Sequence, residues 1–405
     1  MPGRLLRLIA VAVVFATAGL CSSARAQDGG AGVCLAAAMR SEFKLVATNC
    51  SAALAGAQAA ALPTERRRAM LQRLGEAQFW AHDYQGARMT FGVLASEAPK
   101  DAQAFGWRSW TDLRLAAFDE ALADGGQGVQ NDDNCIVCWR NYGIALFDSG
   151  QRREGLAALR HALQLQPDDW FTVHQIAALQ ESSNDLIEAE QTLDERIAQG
   201  VGVDNPVFWV GQDGKPVDPL GLLLAHRGIV RARFSNKAAG ALQDLDAAAA
   251  RGYSEEDQRD QIARVMAYNR LKRYEDALSL ADDLLNHKIA CKCELYMEKG
   301  RALSALGRQD EAQAAYDQAV EYQPLASGTF WARGWFEAAH GRPEQAHDDL
   351  TRAIGMDQSL LASFKSEMIG HGFYFGPANA TVDPELDDAL RACLISPRCS
   401  RRVQG

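Results

Sequence analysis

The sequence lacks the short motifs that mark the common classes of enzyme. Its eight histidines are scattered and form no HExxH metal-binding pair. It has neither a glycine-rich phosphate loop nor a Gly-x-Ser-x-Gly turn that would present a nucleophilic serine. Acidic runs such as Glu255-Glu256-Asp257 are typical of a solvated helix surface rather than of paired catalytic acids. We therefore predict a non-enzymatic protein with no catalytic residue, no metal ligand and no cofactor.

The chain also lacks an excess of basic residues and, after its N-terminus, long apolar runs. Of its 405 residues, 42 are Lys or Arg and 52 are Asp or Glu, which leaves a formal net charge of −10. A protein this acidic is poorly suited to bind nucleic acid or an anionic membrane. No later segment offers about 18 uninterrupted apolar residues, so the mature chain is predicted to lack a membrane span.

The N-terminus has the three parts of a secretory signal peptide. Arg4 and Arg7 precede an apolar run at 8–20, and the small residues Ala24 and Ala26 follow it. This pattern predicts cleavage after Ala26 and transport across the inner membrane, with the periplasm as the expected location. Cleavage removes three arginines and no acidic residue, so the net charge of the mature chain falls to −13.

Transport would place the eight remaining cysteines in an oxidising compartment, where an even number favours disulfides. Local pairing is the simplest connectivity, although the sequence alone does not determine it. The four sequence pairs are Cys34 with Cys50, Cys135 with Cys138, Cys291 with Cys293, and Cys393 with Cys399. The Cys135-Ile-Val-Cys138 segment begins a predicted helix, after Asn and Asp residues at 131–134 that could cap it. Its spacing is similar to the CxxC of thioredoxin-like proteins, so thiol-disulfide exchange is an alternative to a structural staple.

A repeat of about 34 residues organises most of the chain. In residues 135–168 the apolar and small residues recur at helical spacing, Gly150 separates two amphipathic helices, and Pro167 ends the second. Small residues recur at one position of each second helix: Ala87, Ala121, Gly155, Ala189, Gly240, Ala277, Ala312 and Ala346. A matching position of each first helix reads Gly75, Ser109, Gly143, Ala177, Gly228, Val265, Gly300 and Gly334. Two short helices cannot bury both their faces, so the units are predicted to stack.

The period, the small residues and the prolines Pro99, Pro167 and Pro324 together resemble the tetratricopeptide repeat. The resemblance covers residues 65–357. It implies an all-α, helix-turn-helix solenoid of about eight repeats wound into a right-handed superhelix. The resemblance is specific for the fold and says little about the function.

The predicted organisation follows from where the repeat begins, jumps and ends. It comprises a signal peptide at 1–26, a disulfide-stapled cap at 27–62, a first repeat block at 63–200, an insert at 201–219, a second block at 220–357 and a C-terminal region at 358–405. Phe208-Trp209-Val210 and Asp213-Gly214 in the insert predict a short β-hairpin or an ordered loop.

The C-terminal region departs from the repeat. Phe373, Tyr374 and Gly376, followed by Pro384 and then Ala389-Leu390-Arg391, resemble the core of a small helical peptidoglycan-binding module. The alternative is a pair of helices that caps the solenoid and is closed by its two cysteines.

The first helix of each tetratricopeptide unit lines a concave groove, and large side chains at its inward positions are the expected partner-binding residues. They are Phe79, Trp110, Arg140, Phe147 and His174 in the first block, with Trp331 and Trp335 in the second, where His226 and Met266 share the pattern. Aromatic and Arg side chains are typical anchors for a bound peptide. The alternative is that several of them pack between repeats.

These observations predict an exported scaffold that binds a protein or peptide of the cell envelope. A set of basic residues able to clamp a C-terminal carboxylate is not found. Tethering to peptidoglycan through the C-terminal region, and redox activity at Cys135 and Cys138, are the two alternative functions.

Overall fold

The protein is described by a computed structural model that covers residues 32, 34–35, 43–56, 61–200, 217–253, 258–287, 292–379 and 381–396. Within these ranges the regular structure consists of 19 α-helices and one short 3-10 helix, with no strand. The all-α prediction is confirmed. The predicted β-hairpin falls on 201–216, outside the described residues. The chain divides into two compact units, Met1–Pro219 and Leu220–Gly405.

The first unit contains a capping helix and four antiparallel helix pairs. The capping helix is α1 (Phe43–Ala55), and the pairs are α2 (Thr64–Trp80) with α3 (Tyr84–Glu97), α4 (Ala102–Arg114) with α5 (Phe118–Asn131), α6 (Ile136–Asp148) with α7 (Arg152–Leu165), and α8 (Trp170–Ser182) with α9 (Leu186–Gln199). Val46 and Cys50 of α1 pack with Met70 and Leu74 of α2, so α1 covers the end of the stack.

The second unit contains four more pairs and two further helices. They are α10 (Pro219–Ala232) with α11 (Ala238–Ala250), α12 (Arg259–Arg270) with α13 (Tyr274–Leu285), α14 (Lys292–Ala305) with α15 (Gln309–Tyr322), α16 (Ser327–Ala339) with α17 (Pro343–Met356), then α18 (Gln358–Gly370) and α19 (Pro384–Leu394). A 3-10 helix, Ser235–Lys237, lies between α10 and α11.

Seven of the eight pairs turn at a residue with left-handed backbone geometry. These residues are His82, Ala116, Gly150, Asn184, Lys272, Gly307 and Gly341. At Gly150, where φ is +89°, the N–H of the next residue, Gln151, donates to the carbonyl oxygen of Leu146 at 2.9 Å. This hydrogen bond closes the end of the first helix, as left-handed residues commonly do. The turn is therefore part of the repeat, although glycine occupies it only three times.

The small residues lie where the two helices of a pair touch. A Cβ added to Gly143 would lie 2.8 Å from the carbonyl oxygen of Gly155, and one added to Gly334 would lie 2.9 Å from Leu350 Cγ. These distances are shorter than carbon atoms tolerate, so the predicted contact positions are confirmed at these pairs.

The assignment of Gly240 to this series is wrong by one residue. A Cβ added to Gly240 would meet nothing closer than 3.9 Å, whereas Ala241 is fully buried and its carbonyl oxygen lies 3.1 Å from a Cβ built on Gly228. The cause is the 3-10 helix before α11, which increases the spacing between the two contact positions from 12 residues in the other pairs to 13 in this one.

In three of the helix pairs, an ion pair with two hydrogen bonds joins the first helix to the second. It is formed by Arg108 with Asp124, Arg227 with Asp244, and Arg333 with Asp349. In each, the arginine directly precedes the small residue of the first helix. The separation is 16 residues, and 17 in the pair with the longer turn. This spacing is a sequence signal that the pattern of small residues alone does not reveal.

Candidate functional site

Aromatic side chains from three first helices meet on one face of the first unit. Phe79 and Trp80 of α2 contact Trp110 of α4, with ring centroids 4.5 and 5.5 Å away. Trp107, one turn before Trp110, lies 6.3 Å from Trp80, and Phe171 of α8 lies 5.7 Å from Trp110. We call these five residues the aromatic face. Its rings come from the first helices of the first, second and fourth pairs, and the third pair contributes none.

Arg140 of α6 lies beneath this face. Its guanidinium carbon is 5.5 Å from the centre of the Trp110 ring and 4.7 Å from that of Phe171. Its Nη1 donates to Asp169 Oδ2 at 3.2 Å, and Asp169 also accepts the backbone N–H of Phe171 at the start of α8. Burial lowers the pKa of Arg140, against the opposing attraction of Asp169. Arg140 is thus a buried cation that supports the rings, and its charge is already matched within the protein.

Four of the five predicted groove residues of the first block are buried, and the fifth is half-buried. Phe79, Trp110 and Arg140 are buried, and His174 is half-buried beside Phe171, with centroids 6.5 Å apart. Phe147 is buried beside Gly155, with the Arg152 guanidinium over its ring. The structure therefore brings four of the five together, and their role as partner contacts stays a prediction.

The sequence analysis missed three members of the face: Phe171, which is buried, and the two tryptophans, Trp80 and Trp107. Both are half-buried, so each leaves part of its indole open to solvent. The available signal was their spacing: Trp80 follows Phe79 directly, and Trp107 precedes Trp110 by three residues on the same helix.

A cleft of about 910 Å³ lies about one helical turn from the aromatic face, and none of the five aromatic residues lines it. Its lining is one side of α2, the connection from α3 to α4, and the start of α4: Glu65, Arg68, Ala69, Gln72, Glu76, Ala98, Pro99, Lys100, Asp101 and Gln103. Gln72 Nε2 donates to Glu76 Oε1 at 2.6 Å. Burial raises the pKa of Glu76, more than this hydrogen bond and the charge of Arg73 lower it. The cleft therefore holds a poorly solvated carboxylate.

The predicted groove residues of the second block are part of a hydrophobic core. Trp331 and Trp335 contact each other at 5.5 Å and contact Phe364 of α18 at 5.4 and 6.4 Å. His226 is 1% exposed, and Met266 packs against core residues of α12 and its neighbours. Trp331 is half-buried, as Trp80 and Trp107 are, and the role of these second-block residues as partner contacts stays a prediction.

A buried lysine, Lys365, joins α18 to the loop that precedes α19 in the C-terminal region. Lys365 Nζ donates to Asp383 Oδ2 at 2.6 Å, to the Thr381 carbonyl at 2.5 Å and to Asn379 Oδ1 at 3.0 Å. The hydroxyl of Tyr374 donates to Asp383, and the hydrogen bond from Lys365 lowers the pKa of that carboxyl group. These contacts hold the loop before α19 against α18, in agreement with a capping role. The peptidoglycan-binding resemblance stays a prediction.

Two cysteine pairs have their sulfur atoms at bonding distance. Cys34 and Cys50 are joined at 2.09 Å, and Cys135 and Cys138 at 2.02 Å. Of the predicted pair Cys393 and Cys399, Cys393 is in a disulfide and Cys399 lies outside the described residues. Of the pair Cys291 and Cys293, Cys291 lies outside the described residues and Cys293 is buried.

The sequence suggested that a residue of the segment 131–134 caps α6, but none of them does. Cys135 itself occupies the cap position, where its Sγ accepts the N–H of Cys138 at 3.3 Å. Cys135 is 2% exposed and Cys138 is fully buried, between Gly106 of α4 and Gly128 of α5. A substrate thiol has no path to these sulfurs, which favours the staple over redox exchange.

Comparison with known proteins bears on the fold. Residues 294–324, which span most of α14 and all of α15, match the family model of the tetratricopeptide repeat. This segment is a tetratricopeptide repeat. A comparison with curated protein sequences finds no match. The eight helix pairs from α2 to α17 have the helix-turn-helix architecture of the tetratricopeptide type.

Several solved structures resemble the chain at low identity. Pseudomonas aeruginosa pilF is 13% identical and has a TM-score of 0.44 over 55% of this chain and 92% of its own. A tetratricopeptide repeat protein from Parabacteroides merdae is 11% identical, with a TM-score of 0.34 over 81% and 99% of the two chains. A human IFIT1 dimer is 13% identical, with a TM-score of 0.42 over 73% of each. These similarities carry no argument about function.

The described residues contain neither a metal cluster nor a membrane helix. No group of three or more His, Cys, Asp or Glu side chains within them is placed to hold a metal ion. No helix among them is both long and apolar enough to cross a bilayer.

Proposed function

We propose that the protein is an exported, non-enzymatic scaffold whose first unit binds a segment of a partner protein across the aromatic face. The observation that carries this proposal is the pair of partly exposed indoles, Trp80 and Trp107, which rest on a buried layer of Phe79, Trp110 and Arg140. Partly exposed tryptophans that pack on a buried layer are characteristic of the residues that dominate binding energy at protein interfaces.

The packing below the indoles supports the proposal because it reduces the cost of binding. Trp80 and Trp107 contact one another and Trp110 at 5.2 to 6.3 Å, so their ring positions are set by neighbours before a partner arrives. Little side-chain entropy then remains to be lost on association. Tryptophan also combines a large apolar surface with an N–H donor, which suits a partially polar peptide.

Site-specific photo-crosslinking tests this function. p-Benzoylphenylalanine is placed at Trp107 in the native host, and at Met89 as a matched control, because Met89 is 69% exposed on the second helix α3. We expect a protein to crosslink from position 107 and not from 89. The double substitution W80A/W107A should then weaken binding of that purified partner at least tenfold. Equal crosslinking from both positions, or an unchanged affinity, would contradict the proposal.

Export to the periplasm is the second part of the proposal. It is supported by the signal-peptide pattern at 1–26 and by the paired cysteines Cys34 with Cys50 and Cys135 with Cys138. Cell fractionation and intact-mass measurement test it. We expect a periplasmic protein that begins at Gln27, and a cytoplasmic chain that retains 1–26 would refute it.

A further inference from the structure

We propose that the cleft beside the aromatic face binds a Lys or Arg side chain of the partner segment, with Glu76 as its counter-ion and Trp80 and Trp107 as its flanking rings. This inference rests on the proposed function and specifies the chemistry of the segment. The occupant is an extended peptide with one basic residue near its centre.

The helical spacing places the acid and the rings along one path. Gln72, Glu76 and Trp80 follow one another at intervals of four residues on α2, so they lie on the same side of that helix. Gln103 and Trp107 have the same interval on α4. Gln72, Glu76 and Gln103 line the cleft, and both indoles are one turn further along, about 5.4 Å. A long cationic side chain can therefore reach the carboxylate while its stem lies against an indole.

The polar atoms of the cleft are suited to a cationic donor. The donor to Glu76 Oε1 is the neutral amide of Gln72, so this contact supplies no positive charge. Arg73 is a cation whose charge lowers the pKa of Glu76, but its Nε donates to the Cys34 carbonyl oxygen at 2.8 Å. Gln72 Oε1 is buried and accepts no hydrogen bond from the described part of the chain. A Lys ammonium or an Arg guanidinium carries only donors and could pair with the carboxylate, whereas Gln72 would have to move before its buried amide oxygen could take part. Trp rings add a cation–π attraction for the same group.

The other charges around the cleft do not favour an acidic ligand. Arg68 donates to the Glu97 carbonyl at 2.6 Å and pairs with Glu65 at 3.4 Å, and Asp101 caps α4. Lys100 lies exposed at the rim and would oppose a cation there, but it is solvated. The strongly acidic net charge of the chain repels acidic segments at longer range.

Binding of defined peptides to the full mature protein tests the inference. The probes are four fluorescein-labelled decapeptides of one extended sequence, with Lys, Arg, norleucine or Glu at the central position and Leu and Tyr beside it. Fluorescence anisotropy measures their affinities. We expect the Lys and Arg peptides to bind at least tenfold more tightly than the norleucine peptide, and the Glu peptide to bind most weakly.

The variant E76Q separates charge recognition from peptide binding. It keeps the size of Glu76 and should abolish the preference for Lys and Arg while the norleucine affinity stays unchanged. E154Q, an exposed glutamate on α7, is the matched control and should behave as the wild type. If the peptides bind with no charge preference, or E76Q retains it, the inference is overturned and the proposed function stands. If no peptide binds and W80A/W107A leaves the crosslinked partner bound, both are overturned.

Discussion

Trp110 and Phe171 lie in ring contact, with centroids 5.7 Å apart, although they belong to helices α4 and α8, which are separated along the stack by α6. The residue that fills the space between them is Arg140, whose guanidinium faces both rings. Contact between first helices two repeats apart means that the first unit curves toward this side. The aromatic face is therefore concave, as the groove of a binding repeat should be.

Loss of Arg140 should destabilise the first unit strongly. R140M removes the guanidinium but leaves Asp169, which is 0% exposed, without its cation, at an expected cost of about 3–5 kcal/mol in unfolding free energy. The double variant R140M/D169N should recover at least half of this loss, because Asn keeps the cap of α8 without a charge. Urea unfolding followed by circular dichroism measures both. A single variant as stable as the double would show that the ion pair is unimportant.

Two adjacent glycines of α5 should respond oppositely to alanine. A Cβ on Gly125 would lie 2.8 Å from the Tyr142 Cα of α6, whereas one on Gly126 would meet its nearest atom, in the Tyr142 ring, at an ordinary 3.5 Å. G125A should therefore cost about 1–3 kcal/mol through overpacking. G126A should stabilise the protein by about 0.5–1 kcal/mol through helix propensity. Thermal unfolding checks both, and the same sign for the two variants would refute the close contact of α5 with α6.

The stability of the first unit should contain a pH-dependent contribution from Asp112. Burial raises the pKa of this carboxyl group to about 6, despite its contact with Arg88, and the side chain is 1% exposed. The folded chain thus retains a proton that the unfolded chain loses near its ordinary pKa of 3.8. The contribution is fully present below pH 3.8 and is lost as the pH rises to about 6.

The variant D112N isolates this effect from that of other titrating groups. The difference in unfolding free energy between wild type and D112N should change by about 2–3 kcal/mol between pH 4 and pH 7, a shift of two pKa units being worth roughly that amount. Urea titrations at four pH values provide the measurement. A difference that is constant with pH would mean that Asp112 titrates normally.

The sulfurs of Cys135 and Cys138 should be inaccessible in the folded protein. Because both side chains are buried, mild reductant followed by iodoacetamide should label neither, while the same treatment in urea should label both. C135S should lower the unfolding free energy by about 1–3 kcal/mol and leave partner binding unchanged. Rapid reduction and labelling of the folded chain, detected by mass spectrometry, would instead support the redox alternative.

The sequence by itself determined the all-α architecture, the period and most contact positions. These properties are local and repeated. Gly143 and Gly334 make the equivalent close contact between helices in two different repeats, and a small residue recurs at this position in most repeats. The single register error, Gly240 in place of Ala241, arose where one extra residue enters a turn and the period no longer locates the next contact.

Only the tertiary structure decided which large side chains meet and which remain open. The sequence predicted both Arg140 and Trp335 to be groove anchors. In the structure Arg140 is buried under two rings, and Trp335 is part of a hydrophobic core. Trp80 and Trp107 are half-buried, while Trp110 and Phe171, which touch across two repeats, are buried. Curvature accumulates from small rotations between successive repeats, and such rotations depend on packing across several helices, which no single repeat encodes.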